Sequence, residues 1–143
     1  MAGACGHRRT EGLLTVRRLN RLRNQPYCIR PRDGALFSFA GLWETWNDPK
    51  GETVETCTIL TTEANELMRP LHDRMPVILD AGGEALWLDQ TATADALRSL
   101  FMPFPADQME ALPVNPWVSN ARNEGPRCLE LIDVSGTILA PPR

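Results

Sequence analysis

Apolar and β-branched runs, cut by turn residues, set the pattern of this chain. Residues 1–24 show no clean period. Leu13, Leu14, Val16, Leu19 and Leu22 fit one face of a short Arg-rich helix, although Gly12 weakens its start. Pro26-Tyr27-Cys28-Ile29 reads as a strand that stops at Arg30-Pro31, and Arg32-Asp33-Gly34 is a turn signal. Ala35–Trp46, ALFSFAGLWETW, reads as a strand pair or one long bent strand, with Gly41 as a bulge or close-approach point. The run Asn47-Asp48-Pro49-Lys50-Gly51 is a loop, because these side chains and glycine favour turn geometry over a ladder.

The next strand is Thr53–Thr61, rich in β-branched residues that pack well on a pleated surface. Thr61 or Thr62 is placed to cap a short helix through Ala64–Met68, which Arg69-Pro70 ends. Met75–Leu79 is a further strand, with Pro76 at its start or on an edge since it lacks an amide donor. Glu84–Leu88 reads as a helical turn, and Thr93–Leu100 as a short helix capped by Thr91 or Thr93. Residues 111–132 read as irregular. Strands and short helices mix without a βαβ rhythm and without a Gly-rich phosphate loop. The expected class is α+β, with a mostly antiparallel sheet or open barrel.

Composition narrows the picture. A chain of 143 residues with 43% apolar content is long enough for one sizeable core. No apolar run approaches the roughly 18 residues that a membrane-spanning helix needs, and the start of the chain has no apolar secretory core. A cytoplasmic protein is expected, nucleoid-associated if the source is bacterial. Cys5, Cys28, Cys57 and Cys128 form no Cys-x-x-Cys pair, so neither a metal site nor a cofactor is expected. Scattered thiols fit a reducing compartment, and Cys28 and Cys57 are expected to be buried and inert.

The net charge of −3 hides an asymmetry. Residues 1–32 hold eight arginines (8, 9, 17, 18, 21, 23, 30 and 32) against one acid, Glu11. Such a basic segment suits phosphates, or is simply a solvated arm. The four tryptophans divide by context. Trp43, Trp87 and Trp117 are expected in core or rim packing, and Trp46, beside the Asn47 loop, is the best exposed candidate for stacking on a base.

Several segments carry a family resemblance. Gln25-Pro26-Tyr27-Cys28-Ile29, Phe39-Ala40-Gly41-Leu42-Trp43-Glu44 and Cys57–Asn65 (CTILTTEAN) lead to Leu71-His72-Asp73-Arg74-Met75-Pro76. Val118–Pro126 (VSNARNEGP) and Leu129–Ile132 follow. In this order they resemble the SOS-response-associated peptidase (SRAP) family of abasic-site-processing proteins. The resemblance implies an SRAP-like fold and binding to single-stranded DNA with abasic sites, as a monomer and without a metal. It also implies peptidase- or lyase-type chemistry. In the family a cysteine after the initiator Met supplies an α-amine and a thiol that close a thiazolidine on the sugar aldehyde. By resemblance His72 is the catalytic acid–base residue, Arg74 a phosphate-binding residue, and Thr61, with Thr62, lines the site. A histidine titrating near neutrality can pass protons to a sugar oxygen or an imine nitrogen. A guanidinium two residues along a strand projects to the same face and can clamp a phosphate.

The chain departs from the family in its first part. Residue 2 is Ala2, not the expected cysteine. Laid near Gly12 on the family's glutamate-bearing segment, Thr15 falls at the position of the catalytic glutamate and Val16 at that of a tryptophan. Alternatively, Cys5-Gly6 echoes the family's Met-Cys-Gly start. The expected organisation is a basic, divergent segment 1–24, the C-terminal part of an SRAP-like domain over 25–132, and a tail 133–143, in a truncated member. The alternatives are a non-catalytic remnant that binds single-stranded nucleic acid, or an incomplete domain that folds only with a partner.

Overall fold

The computed structural model describes residues 3–10, 13–20 and 23–133, with side chains from residue 25 onward. The tail after Asp133 lies outside the described residues. The strands run in chain order as β1 (Gly3–Thr10), β2 (Leu13–Asn20), β3 (Arg23–Pro31), β4 (Phe37–Asn47), β5 (Thr53–Ile59), β6 (Thr61–Glu63), β7 (Arg74–Pro76) and β8 (Ile78–Leu79). Helices α1 (Ala81–Leu88) and α2 (Ala94–Arg98) follow, then β9 (Met109–Pro113) between short 3-10 turns. Every strand pair among the described residues is antiparallel. One sheet has the order β1-β4-β5 with β8 also on β4, a second is β2-β3-β9, and β6-β7 form a hairpin. The α+β class with antiparallel sheets is therefore correct.

Three local expectations are overturned. Residues 13–20 form strand β2, paired with β3 from Leu13↔Ile29 to Arg18↔Asn24, where a helix was expected. Leu14 and Val16 are two apart, which suits a strand face, while Leu13 and Val16 are three apart, which suits a helix. The tertiary partner β3 decides between the two periods. Residues 64–68 form no helix: 64 and 65 are irregular, and a turn spans 66–71. Thr61 and Thr62 are strand residues, and Asn65 takes the capping role: its Oδ1 accepts the Met68 N–H at 2.9 Å. Residues 109–113 form β9, which pairs with β3 from Tyr27↔Pro113 to Pro31↔Met109.

Strand β4 organises the core because both of its faces are covered in its first half. Phe37 and Phe39 join Ile29, Met68, Met75, Ile78 and Met109 in one apolar cluster. Ala40, on the opposite face, joins Val77, Leu79 and Trp87 in a second. The Trp87 side of α1 is placed by Asp80, whose carboxylate caps the helix by accepting the Gly83 N–H at 2.7 Å. Thr93 caps α2 in the same way through the Ala96 N–H.

Beyond Gly41 the long strand leaves the core. Its second half pairs with β5 in unbroken register from Gly41↔Ile59 to Asn47↔Thr53, and all seven β5 residues are exposed. The loop at the tip is held by Asp48, whose Oδ1 accepts the Lys50 and Glu52 amides, with Gly51 at φ +88°, where only glycine sits without strain.

At the base of this hairpin β4 and β5 part, and residues 74–79 enter the fork. The Val77 N–H donates to the Leu60 carbonyl, the Leu60 N–H to the Ala40 carbonyl, and the Ala40 N–H to the Val77 carbonyl, each at 2.9 Å. Below the fork β7 pairs with β6, and β8 pairs with β4.

The two strand cysteines also separate. Cys28 is buried, and burial pushes its thiol above the ordinary range, partly offset by Arg30. Cys57 is exposed on β5, against expectation. Iodoacetamide at pH 8, read by peptide mass spectrometry, is expected to label Cys57 in the folded protein and Cys28 only after unfolding. Labelling of Cys28 at the Cys57 rate would contradict its burial.

Candidate functional site

The β6-β7 hairpin carries the residues singled out by the His-Asp-Arg motif. Its register is Thr61↔Pro76, Thr62↔Met75 and Glu63↔Arg74. Period-two alternation puts Thr61, Glu63 and Arg74 on the outer face, and Thr62 and Met75 inward. Residues directly opposite share a face, so Arg74 faces Glu63. Its guanidinium nevertheless reaches diagonally to Thr61. One terminal nitrogen, Nη2, donates to the Thr61 carbonyl at 2.7 Å and to its Oγ1 at 2.9 Å, and Nε donates to the same Oγ1 at 3.3 Å. This holds the planar fork in one orientation, and Nη1 takes no part in these three bonds.

His72 sits at the end of the connecting turn. The turn is closed by the Ala64 N–H to the Asp73 carbonyl and by the His72 N–H to the Met68 carbonyl. The imidazole is 59% exposed, and its Nδ1 accepts the Arg74 backbone N–H at 3.0 Å. The same Nδ1 lies 3.0 Å from Oδ1 of Asp73. The two contacts need different forms of the ring. With Nδ1 bare it accepts from Arg74, whereas with a proton on Nδ1 it donates to Asp73. Either way Nε2 is the nitrogen left for an incoming group. Glu63 and Asp73 also place two exposed carboxylates beside Arg74, which limits the positive field of this face.

The structure thus brings together His72, Arg74 and Thr61. It does not bring Thr62 or Trp46 to them. Thr62 is buried, and its hydroxyl donates to the Phe101 carbonyl at 2.7 Å, so it ties β6 to the chain after α2. Trp46 is 56% exposed, but it pairs with Val54 near the hairpin tip, on the strand face opposite to Ile59 and Thr61. Trp87 is buried, while Trp43 and Trp117 are about two-fifths exposed. The Arg127 guanidinium lies 4.3 Å from the centre of the Trp117 ring, a contact that no sequence spacing announced. Among the described residues, no group of three or more His, Cys, Asp or Glu is placed to hold a metal ion, and no helix is long and apolar enough to cross a membrane.

The basic segment takes a different form from a loose arm. Residues 3–10 form β1, with Cys5 opposite Gly41, and residues 13–20 form β2. The side chains of Arg8, Arg9, Arg17, Arg18, Arg21 and Arg23, and of Cys5 and Thr15, lie outside the described residues.

Comparison with known proteins places this arrangement. Residues 17–121 match the family described as SOS response associated peptidase (SRAP). The abasic site processing protein YoqW of Bacillus subtilis is 47% identical over 106 residues, covering 73% of this chain and 47% of that protein. The abasic site processing protein HMCES of Rattus norvegicus is 38% identical over 103 residues, 69% of this chain and 28% of its own length. A crystal structure of a protein from Bacteroides thetaiotaomicron superposes with a TM-score of 0.78 at 29% identity, covering 88% of this chain and 56% of that one. A second, from Bordetella bronchiseptica, gives 0.66 at 30% identity, with 76% and 53% covered. The chain therefore spans about half or less of the length of these curated relatives. With residues 17–121 matched and its hairpin motif set on an SRAP-like antiparallel fold, the chain belongs to the SOS response associated peptidase (SRAP) family.

Proposed function

We propose that this chain binds single-stranded DNA and acts at abasic sites through the outer face of the β6-β7 hairpin. Arg74 clamps a phosphate, Thr61 fixes the clamp, and Nε2 of His72 exchanges a proton with the opened sugar. The observation that carries the reading is the set of three hydrogen bonds from Arg74 to Thr61, beside an exposed imidazole. An arginine held this way on a solvent-facing strand is pre-organised for an anion, because little side-chain freedom remains to be lost on binding. The names of the relatives, abasic site processing proteins, supply the substrate class.

A second reading, binding without covalent chemistry, is favoured by one residue. Thr15, opposite Tyr27 in the β2-β3 pair, stands where the resemblance places a catalytic glutamate. A hydroxyl cannot serve as that carboxylate.

Fluorescence anisotropy with a labelled single strand, from 50 to 200 mM salt, tests the binding step. Affinity is expected to fall as salt rises, with each phosphate contact adding about −0.7 to the slope of log K against log salt. Arg74→Gln is expected to weaken binding about 10-fold or more and to flatten the slope by about one contact. Since β1 and β2 are integral strands, the contribution of their arginines is read by Arg→Gln changes rather than by deletion. Wild-type affinity and slope in Arg74→Gln would overturn the proposed clamp.

A further inference from the structure

The outer face that carries Thr61 and Arg74 does not end at the hairpin base. Along the chain from β5 into β6, Leu60 turns toward the second core cluster and Thr62 toward the Phe101 carbonyl. Ile59, Thr61 and Glu63 therefore point the other way, and all three are exposed. Ile59 is the register partner of Gly41, and Trp43, two residues further on β4, pairs with Cys57. Directly paired residues share a face, so Trp43 and Ile59 are diagonal neighbours on the same side as Thr61. Gly41 has no side chain to separate them. Trp43 is 41% exposed and Ile59 43%. An indole and a branched aliphatic side chain thus form an open apolar shelf that runs directly into the Thr61–Arg74 pair.

The flanks of the shelf are polar. Thr45↔Glu55 closes it toward the tip, and Glu63 lies at the other end. Two residues along a strand advance by about 6.6 Å, so the indole stands roughly 13 Å of extended chain from the Thr61 position. A flat aromatic surface beside an oriented guanidinium is the pairing that single-strand binders use, one for a base and one for the backbone.

We infer that Trp43, backed by Ile59, is a nucleobase-stacking platform for a nucleotide flanking the one whose phosphate Arg74 holds. This inference rests on the proposed binding of single-stranded DNA and adds a base-contacting subsite to it. The stack is indifferent to base identity, because every base presents a π-face, and it is absent where the nucleotide has lost its base. Trp46, on the opposite strand face, takes no part.

Anisotropy titration with two strands of equal length and charge tests this. One carries bases throughout, and the other carries abasic tetrahydrofuran residues throughout. Trp43→Thr, which keeps a β-favouring residue on the strand, is expected to lose about 5- to 100-fold for the base-containing strand and under twofold for the base-free one. Trp43→Phe is expected to retain most of the affinity, and Trp46→Thr to leave both strands unchanged. Arg74→Gln should weaken both strands alike. Equal losses of Trp43→Thr on the two strands, or none on either, would overturn the platform while leaving the Arg74 clamp standing. A wild-type chain that binds neither strand would overturn the binding reading and the platform with it. Circular dichroism of each variant separates a loss of binding from a loss of fold.

Discussion

Asn65→Ala is expected to lower stability by about 2–4 kcal/mol, the largest effect of any single polar change in this domain. Asn65 is 8% exposed and every polar atom of its side chain is used. Its Oδ1 accepts the Met68 N–H at 2.9 Å, and its Nδ2 donates to the Phe104 carbonyl at 2.7 Å and to the Met109 sulfur at 3.2 Å. Alanine would leave a buried donor and a buried acceptor without partners, and each such group costs about 1–3 kcal/mol. It would also open a gap next to Met68, Met75 and Met109, which are each 1% exposed. Thermal unfolding should show the midpoint falling by roughly 10 °C for a domain of this size. Asn65→Asp keeps the Oδ1 cap but turns the Phe104 contact into two facing acceptors. Its penalty should shrink at low pH, where the protonated carboxyl can again donate. A midpoint within about 2 °C of wild type in Asn65→Ala would mean that the turn holds itself without the cap.

A polypeptide of these 143 residues is expected to give no heat-stable link to abasic single-stranded DNA. Closing a thiazolidine needs an α-amine and a thiol on the same residue, so that the nitrogen forms an imine and the sulfur then adds to its carbon. Residue 2 is Ala2, which offers an amine after Met removal but no thiol. Cys5 has a thiol, but its own nitrogen is a peptide amide in β1, and an amide nitrogen does not form an imine. An imine through the Ala2 amine hydrolyses on heating. Thr15 cannot supply the carboxylate of the family's glutamate. Incubation with an abasic single strand, then a denaturing gel with and without borohydride, reads this directly. A shifted band that survives heat without borohydride would show that another residue has taken over the nucleophile's role.

The α+β class could be read from the sequence because the β-branched runs at Thr53–Ile59 and Met75–Leu79 and the turn at Asn47–Gly51 are local signals. So could the caps at Thr93 and the strand at Pro26–Ile29. The failures share a cause in partners that a local period does not reveal. Leu13–Asn20 is a strand because β3 lies beside it, and Met109–Pro113 because β3 offers its other edge. Ala64–Met68 fails as a helix because Asn65 spends its amide on Phe104, 39 residues away, and the turn must close within a hairpin. At the site, the nearness of Thr61, His72 and Arg74 was expected from the motif, but His72 lies in the turn before β7 and not on a strand with Arg74, and the diagonal bonds from Arg74 to Thr61 follow from the β6-β7 register. The inward turn of Thr62 follows from strand alternation, one residue on from Thr61. Trp43 was missed because FAGLW reads as a buried run, and only the departure of β4 from the core beyond Gly41 exposes its indole.

The fork at Ala40, Leu60 and Val77 has a consequence for the order of folding. The β4-β5 hairpin is a nearest-neighbour element, closed by a five-residue loop between Asn47 and Thr53. It can form early from contacts close in sequence. The segment 74–79 must then slot between strands that are already joined at one end. The Thr61–Arg74 pair, and the imidazole hung on the Arg74 amide, come into being only at that insertion. The site is thus expected to form late in folding, and opening it withdraws the six-residue segment 74–79, which takes Met75, Val77, Ile78 and Leu79 out of both core clusters. A ligand that grips Arg74 opposes that withdrawal, so binding should slow amide exchange at Val77 and Ala40, well away from the surface it touches.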